Sequence, residues 1–157
     1  MSSKGMIATD RKLPPALWWT EPSTRAVLDA VEAGGGKARF VGGSVRNALL
    51  GGEVQDVDIA TDVAPDEVQR RIEAKDLRAV PTGIEHGTVT AISGGRPYEI
   101  TTLRKDVSTD GRRATIAYTD DWAEDAARRD FTMNALYADR DGTIYDPTGG
   151  LDDLASG

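Results

Sequence analysis

Apolar positions along the chain alternate between helical spacing and short continuous runs. Glu21-Pro22-Ser23-Thr24 supplies capping residues, and Val27, Leu28 and Val31 then give one helix face until Gly34-Gly35-Gly36 stops it. Ala38 to Val41 is an apolar run that enters a Gly42-Gly43-Ser44 turn. A short helix follows with Val45, Leu49 and Leu50 on one side, and Gly51-Gly52 ends it. A second apolar run carries Asp56 and Asp58 up to Thr61. Pro65 opens another helix with Asp66 and Glu67 in its first turn and Val68 and Ile72 facing inward. Leu77–Val80, Thr88–Ile92 and Tyr98–Leu103 read as strands, the last two joined by a Ser93-Gly94-Gly95-Arg96-Pro97 hairpin turn. Arg104 to Thr119 is polar and reads as a loop, long for a connection in a compact domain. Asp120 to Arg129 predicts a helix with Trp122 and Ala126 inward, and Thr143–Tyr145 pairs back as a hairpin strand after a turn at Asp139–Gly142. Leu151 to Leu154 opens a further helix. The leader, which ends in Leu13-Pro14-Pro15-Ala16-Leu17-Trp18-Trp19, reads as an extended arm whose tryptophans pack on the domain or a partner.

These elements predict an α/β (α+β) fold: a mixed, partly antiparallel sheet of about five strands with flanking helices. The hairpin over 88–103 excludes a wholly parallel sheet, and a metal site is expected on one open edge. The expected division is an N-terminal arm at 1–22 and one domain at 23–157. A length of 157 residues, 39% hydrophobic and 29% charged, suits a soluble globular domain with a full core.

There is no cysteine, which excludes disulfides and thiolate metal sites, and the single His86 excludes a zinc site built on several histidines. No apolar run approaches the roughly 18 residues that span a bilayer, so no membrane association and a cytoplasmic location are expected. The net charge of −7 argues against a free-standing RNA-binding module, although Arg104, Lys105, Arg112 and Arg113 form a local cluster able to meet a phosphate. Oligomeric state is not legible.

The candidate chemistry concentrates between Phe40 and Thr61. Alternate side chains of a strand share a face, so Asp56 and Asp58 point the same way while Val57 and Ile59 point into the core. Two carboxylates held together repel unless a cation lies between them, and that pair suits Mg²⁺, which takes hard oxygen ligands. The Gly42-Gly43-Ser44 turn lets backbone N–H groups approach an anion, and Arg46 adds a forked cation. A plain turn and a solvated pair of aspartates are the bland alternatives to each piece taken alone. Glu99 completes a three-carboxylate cluster if its strand lies beside that of Asp58; otherwise it faces solvent. His86 either bonds local backbone or serves as an acid–base group.

Four stretches give the chain a family resemblance: Gly42-Gly43-Ser44-Val45-Arg46 with Asp56-Val57-Asp58; Thr82-Gly83-Ile84-Glu85-His86-Gly87-Thr88; Glu99 to Arg104; and Arg128-Arg129-Asp130-Phe131-Thr132-Met133-Asn134-Ala135. In this order they resemble the catalytic head of class II tRNA nucleotidyltransferases (CCA-adding enzymes) and bacterial poly(A) polymerases, of the DNA polymerase β-like superfamily. The resemblance implies that Asp56 and Asp58 hold two Mg²⁺, one activating an RNA 3′-hydroxyl and the other stabilising the departing pyrophosphate. It implies that Gly43 and Arg46 contact the triphosphate, with Ser44 in the same turn. Arg129, Asp130 and Asn134 would hold the ribose and phosphates, and residues 105–119 would be a flexible loop linked to nucleotide specificity. CTP or ATP and the 3′ end of tRNA or another RNA are the implied partners.

Two residues depart from the family pattern: Asn47 stands where Asp is usual, and Ala114 where Pro is common. The neck, body and tail of the family are not found after Gly157, so the sequence reads as an isolated head whose tRNA grip and base choice lie elsewhere. Besides transfer of CMP or AMP to tRNA, a poly(A) polymerase head and nucleotide–Mg²⁺ binding without turnover stay open, while the Arg128-Arg129-Asp130-Phe131-Thr132 stretch argues against transfer to a small molecule or protein.

Overall fold

The structure, a computed structural model, describes residues 8–54, 56–83, 87–109, 113–129 and 134–151. Its strands are β1 (Ala8–Lys12), β2 (Ala38–Val41), β3 (Val57–Thr61), β4 (Arg78–Gly83), β5 (Thr88–Ser93), β6 (Arg96–Thr102), β7 (Arg104–Thr109), β8 (Arg113–Tyr118), β9 (Tyr137–Ala138) and β10 (Thr143–Tyr145). Its helices are α1 (Leu17–Thr20), α2 (Pro22–Glu32), α3 (Gly43–Leu49), α4 (Pro65–Ala74) and α5 (Trp122–Ala127).

Every residue of β2 is buried, as befits a strand covered on both faces. It lies inside an eight-stranded sheet of order β1-β10-β9-β2-β3-β6-β5-β4. Only β3 and β6 run parallel; the other neighbours are antiparallel, so the sheet is mixed. Eight strands replace the expected five or so. Those missed include β1, a mostly exposed edge strand, and β9, only two residues long; neither shows enough alternation to be read from sequence.

Alternation along the strands builds two cores. Phe40, Val57, Ile59, Tyr98, Ile100 and Val89 point to one face, where α2 supplies Val27, Leu28 and Val31 and α4 supplies Val68 and Ile72. On the opposite face Val41, Ala60 and Tyr137 pack with Trp122 and Ala126 of α5. That helix begins as a capped helix should: the Asp121 carboxylate accepts from the Ala123 and Glu124 amides at its N-terminus. The leader belongs to the first core through Leu13 and Trp18, the latter edge-on to Phe40 at 5.0 Å between ring centroids.

A buried polar link pins α2 to the sheet. The Thr24 hydroxyl donates to the Trp18 carbonyl at 2.7 Å, so the Tyr98 hydroxyl, 2.8 Å away, donates to Thr24, and Ser23 Oγ lies 3.0 Å from the same phenol. Tyr98→Phe is expected to lower unfolding stability by about 1–2 kcal/mol, because Thr24 keeps a buried acceptor with no donor. A urea titration checks this; an unchanged midpoint would mean the link contributes nothing net.

The region 104–119 is not a loop. β7 and β8 form an antiparallel ribbon in register from Arg104↔Tyr118 to Thr109↔Arg113. A two-stranded ribbon pairs the backbone groups that face the partner strand and can leave the outer ones to water, so polar sequence does not exclude it. Residues 110–112 lie outside the described residues. No helix among the described residues is long and apolar enough to cross a membrane.

Candidate active site

The site grows from the ends of β2 and β3, neighbours in the middle of the sheet, and not from the open edge that the sequence pattern predicts. β2 runs into Gly42, whose φ of 69° and ψ of −132° lie where side chains are strained. The Ser44 hydroxyl is buried and donates back to the Val41 carbonyl at 3.0 Å, so it braces the turn from within. Arg46, one turn into α3, donates through Nη1 to Asn134 Oδ1 at 2.8 Å and through Nε to Asn47 Oδ1 at 3.3 Å. Two neutral amides thus hold this guanidinium; Asn47 still orients it without adding a charge. Its Nη2 lies along Gly43, 3.4 Å from where a Cβ on that glycine would stand.

On β3, Val57 and Ile59 are buried in the core and Asp58 takes the other face, half-buried. Asp56 sits in the bend just before the strand and is exposed. Glu99 on β6 is the direct register partner of Asp58, which settles the adjacency the sequence left open. Its side chain is exposed, so the strands are adjacent as the cluster reading requires, but among the described residues the three carboxylates do not converge. Burial, then Glu99, then Asp56 push the Asp58 carboxyl up to about 6, with Arg129 pulling the other way.

That tension is what a cation would relieve. Among the described residues no three His, Asp or Glu side chains converge as a complete metal shell. Asp56 and Asp58 line one recess of about 310 Å³, so the protein offers a partial donor set of hard oxygens. One or two carboxylates with further ligands from a phosphate is a usual arrangement for a small divalent cation, and the residues fit it.

A neighbouring cavity of about 360 Å³ is lined by Gly42, Gly43, Arg46, Asp58, Thr101, Arg104, Arg129 and Asn134, among others. Three guanidiniums and one carboxylate in the same lining suit a polyphosphate with its cation. A larger groove of about 580 Å³ between Pro14–Trp18 and Gly51–Val54 has Arg96 and Glu53 as its charged groups and no carboxylate pair, so the chemistry belongs to the smaller cavity.

Arg129 is held from behind. Its Nε and Nη2 donate to Asp125 Oδ2 at 3.2 and 3.0 Å, and the Tyr137 hydroxyl donates to the same oxygen at 2.6 Å. The Arg104 amide donates to Asp125 Oδ1 at 3.0 Å. Burial disfavours the Arg129 charge, but Tyr137 and Asp125 outweigh it and leave its pKa raised. Burial, with Asp125 adding to it, also pushes the Tyr137 phenol up. Asp125 and Thr101 were missed in the sequence; the i,i+4 spacing of Asp125 to Arg129 on a predicted helix was the available signal for the first. Arg104, grouped there with Lys105, Arg112 and Arg113, reaches the cavity. Asp130 and His86 lie outside the described residues, as do Arg112, Phe131, Thr132 and Met133.

A pH dependence follows from Asp58. Its folded value near 6 lies above the ordinary 3.8, so the protonated form favours folding, and that contribution is lost as pH rises through about 6. Cation binding needs the ionised form and is expected to weaken as pH falls through the same value. Calorimetric titration with a divalent cation and ATP at pH 5.5 and 7.5 checks the sign; stronger binding at the lower pH would refute it.

Residues 38–157 match the family model of the poly A polymerase head domain. The chain belongs to that family. The CCA-adding enzyme of Levilactobacillus brevis is 48% identical over 132 residues, which is 83% of this chain and 32% of that protein. The solved structure of the Bacillus stearothermophilus CCA-adding enzyme in complex with CTP superposes with a TM-score of 0.72 at 36% identity, covering 86% of this chain and 32% of that one. A tRNA nucleotidyltransferase complexed with a primer tRNA and an incoming ATP analog gives a TM-score of 0.63 at 31% identity, over 82% of this chain and 36% of that one. The chain therefore spans about a third of the length of these relatives. The α/β architecture read from the sequence is that of a polymerase β-like nucleotidyltransferase head, and all the site residues fall within the poly A polymerase head match.

Proposed function

We propose that this chain is the catalytic head of an RNA 3′-end nucleotidyltransferase, transferring CMP or AMP from CTP or ATP to tRNA as in CCA addition. The observation that carries this reading is the pairing of Asp58 with Glu99, beside Asp56, at the end of a cavity walled by Gly43, Arg46 and Arg129. Asp56 and Asp58 would hold Mg²⁺. When bound, a pair of such ions supplies activation of the primer hydroxyl and charge neutralisation on the leaving pyrophosphate. Arg46 and Arg129 bind the triphosphate and meet the charge that grows on its oxygens during transfer. Gly43, without a side chain, lets the phosphates approach the backbone. Asn134 contributes by holding Arg46, and Asp130 is assigned to the ribose by resemblance alone.

A second reading is nucleotide–Mg²⁺ binding without turnover. It is favoured by the cavity lining, which among the described residues addresses phosphate and cation but includes no aromatic ring to stack a base. Poly(A) addition uses the same transfer chemistry and differs in base choice and primer, neither of which this lining sets.

Calorimetry with ATP and with CTP in Mg²⁺ tests the proposal, on the wild type and on Asp56→Ala/Asp58→Ala. Binding that requires both ion and aspartates, with similar affinity for the two nucleotides, is expected. Binding of equal strength without Mg²⁺ or without the aspartates would overturn it. Extension of a labelled tRNA primer by the same samples then separates transfer from binding alone.

A further inference from the structure

We infer that Asp125 is the positioning residue of the triphosphate pocket: it grips one edge of the Arg129 guanidinium and aims the other at the Gly42-Gly43 turn. The inference rests on reading that cavity as the triphosphate site.

Three observations carry it. The first is how Arg129 is divided. Nε and Nη2 are both spent on Asp125 Oδ2, while Nη1 is the atom nearest the turn, 3.9 Å from where a Cβ on Gly42 would stand. A guanidinium has a planar fork, so fixing one edge fixes the direction of the remaining N–H groups.

The second is that Asp125 is itself immobilised. It is 2% exposed, and besides Arg129 it accepts from the Tyr137 hydroxyl of β9 and the Arg104 amide of β7. Donors from two strands and its own helix thus fix both carboxylate oxygens. A buried carboxylate so fully engaged cannot swing to follow Arg129; the arginine must conform to it.

The third is competition. Asp58 lines the same cavity as Arg129 and is the one carboxylate in that lining. Released from Asp125, Arg129 would pair with Asp58, occupying a cation ligand and withdrawing a phosphate donor in one movement. Asp125 keeps the two charges of the site apart. Its spacing from Arg129, four residues from within α5 to just past the C-cap Arg128, makes the grip local and independent of the cavity's contents.

The test uses the full chain and reads ATP affinity in Mg²⁺ by calorimetry beside thermal melting. Asp125→Asn is expected to weaken ATP binding about tenfold or more, and Arg129→Ala at least as much. Asp125→Asn/Arg129→Ala should be no more than about twofold weaker than Arg129→Ala, because both changes remove one contact. Tyr98→Phe, which breaks the buried link between α2 and β6 in the other core and touches no residue of the cavity lining, is the stability control. It should lower the melting temperature while ATP affinity stays within about twofold of wild type, so that the affinity lost in Asp125→Asn is not the effect of lowered stability alone.

Should Asp125→Asn not fold, Arg129→Lys carries the test. A single ammonium cannot hold Asp125 and reach the turn together, so a loss of about tenfold is expected, and full affinity would refute the inference. Asp125→Asn with wild-type affinity beside a weakened Arg129→Ala would overturn the positioning role alone. A wild type that binds no ATP would take down the triphosphate reading and this inference with it.

Discussion

Asp58→Asn is expected to cut Mg²⁺-dependent ATP binding by about 100-fold or more, and to make the nucleotide-free protein more stable at pH 7.5. The two halves have one cause. In the fold, the Asp58 carboxyl is half-buried with Glu99 abreast and Asp56 two residues before it, and it ionises only near 6. At pH 7.5 it is charged against the preference of its surroundings. A neutral amide of the same shape removes that cost. Taken at face value the shift corresponds to about 3 kcal/mol, but the group is partly exposed and solvent screens its neighbours, so about 1 kcal/mol is the realistic gain. That corresponds to a rise of roughly 2–4 °C in melting temperature for a domain of this size. The gain should vanish below pH 4, where the wild-type carboxyl is protonated as well. The same substitution removes a hard anionic ligand, which is why binding collapses as stability rises. A variant that retains Mg²⁺-dependent ATP affinity would show that Asp58 is not a cation ligand, and one that melts lower than wild type at pH 7.5 would show that its charge is not disfavoured in the fold.

Gly42→Val has the second largest expected effect, acting through the backbone first. Gly42 has φ of 69° and ψ of −132°, a conformation that a β-branched residue reaches only with strain of about 1–3 kcal/mol. The space is also spoken for: a Cβ there would stand 3.8 Å from the Asn134 carbonyl and 3.9 Å from Arg129 Nη1, so valine methyls would press on both. Those neighbours line the cavity proposed for the triphosphate. Arg46 is hydrogen-bonded to the Asn134 side chain, so displacing residue 134 reaches a second guanidinium. The expected result is a melting temperature lower by roughly 3–10 °C with the circular dichroism spectrum kept, and ATP affinity lower by about 100-fold. Gly42→Ala should show the strain with a smaller loss of affinity. Equal affinity for Gly42→Val and wild type would mean that the turn does not shape the nucleotide cavity.

Much of this site was legible because its parts are close in sequence. The Gly-Gly-Ser turn, Arg46 and the aspartates lie within one strand–helix–strand unit, and helical and apolar-run spacing place them without tertiary knowledge. The α2, α3, α4 and α5 helices and the 88–103 hairpin are likewise local, each with its stop or turn residues in the chain. The misread parts lacked a local signature. β7 and β8 form a sheet of their own, and their strand character rests on a pairing that composition does not announce. β1 is a polar edge strand whose partner, β10, lies more than a hundred residues away.

What the sequence determined by itself was the set of chemical groups and the order of elements that carry them: carboxylates two apart, a glycine turn, an arginine in the turn after it, and the motif running from Arg128. Those follow from side-chain chemistry and short-range periodicity. Only the tertiary structure decided which groups face one another. Glu99 stands against Asp58 because β3 and β6, separated by α4 and two further strands, pair in parallel and in one register. A slip of one residue would have turned Glu99 into the core. Arg129 reaches the Gly42 turn because a buried Asp125 is held by β7 and β9 as well as by its own helix. Register and burial are properties of the packed sheet, set by its hydrophobic faces together, and no single stretch of the chain contains them.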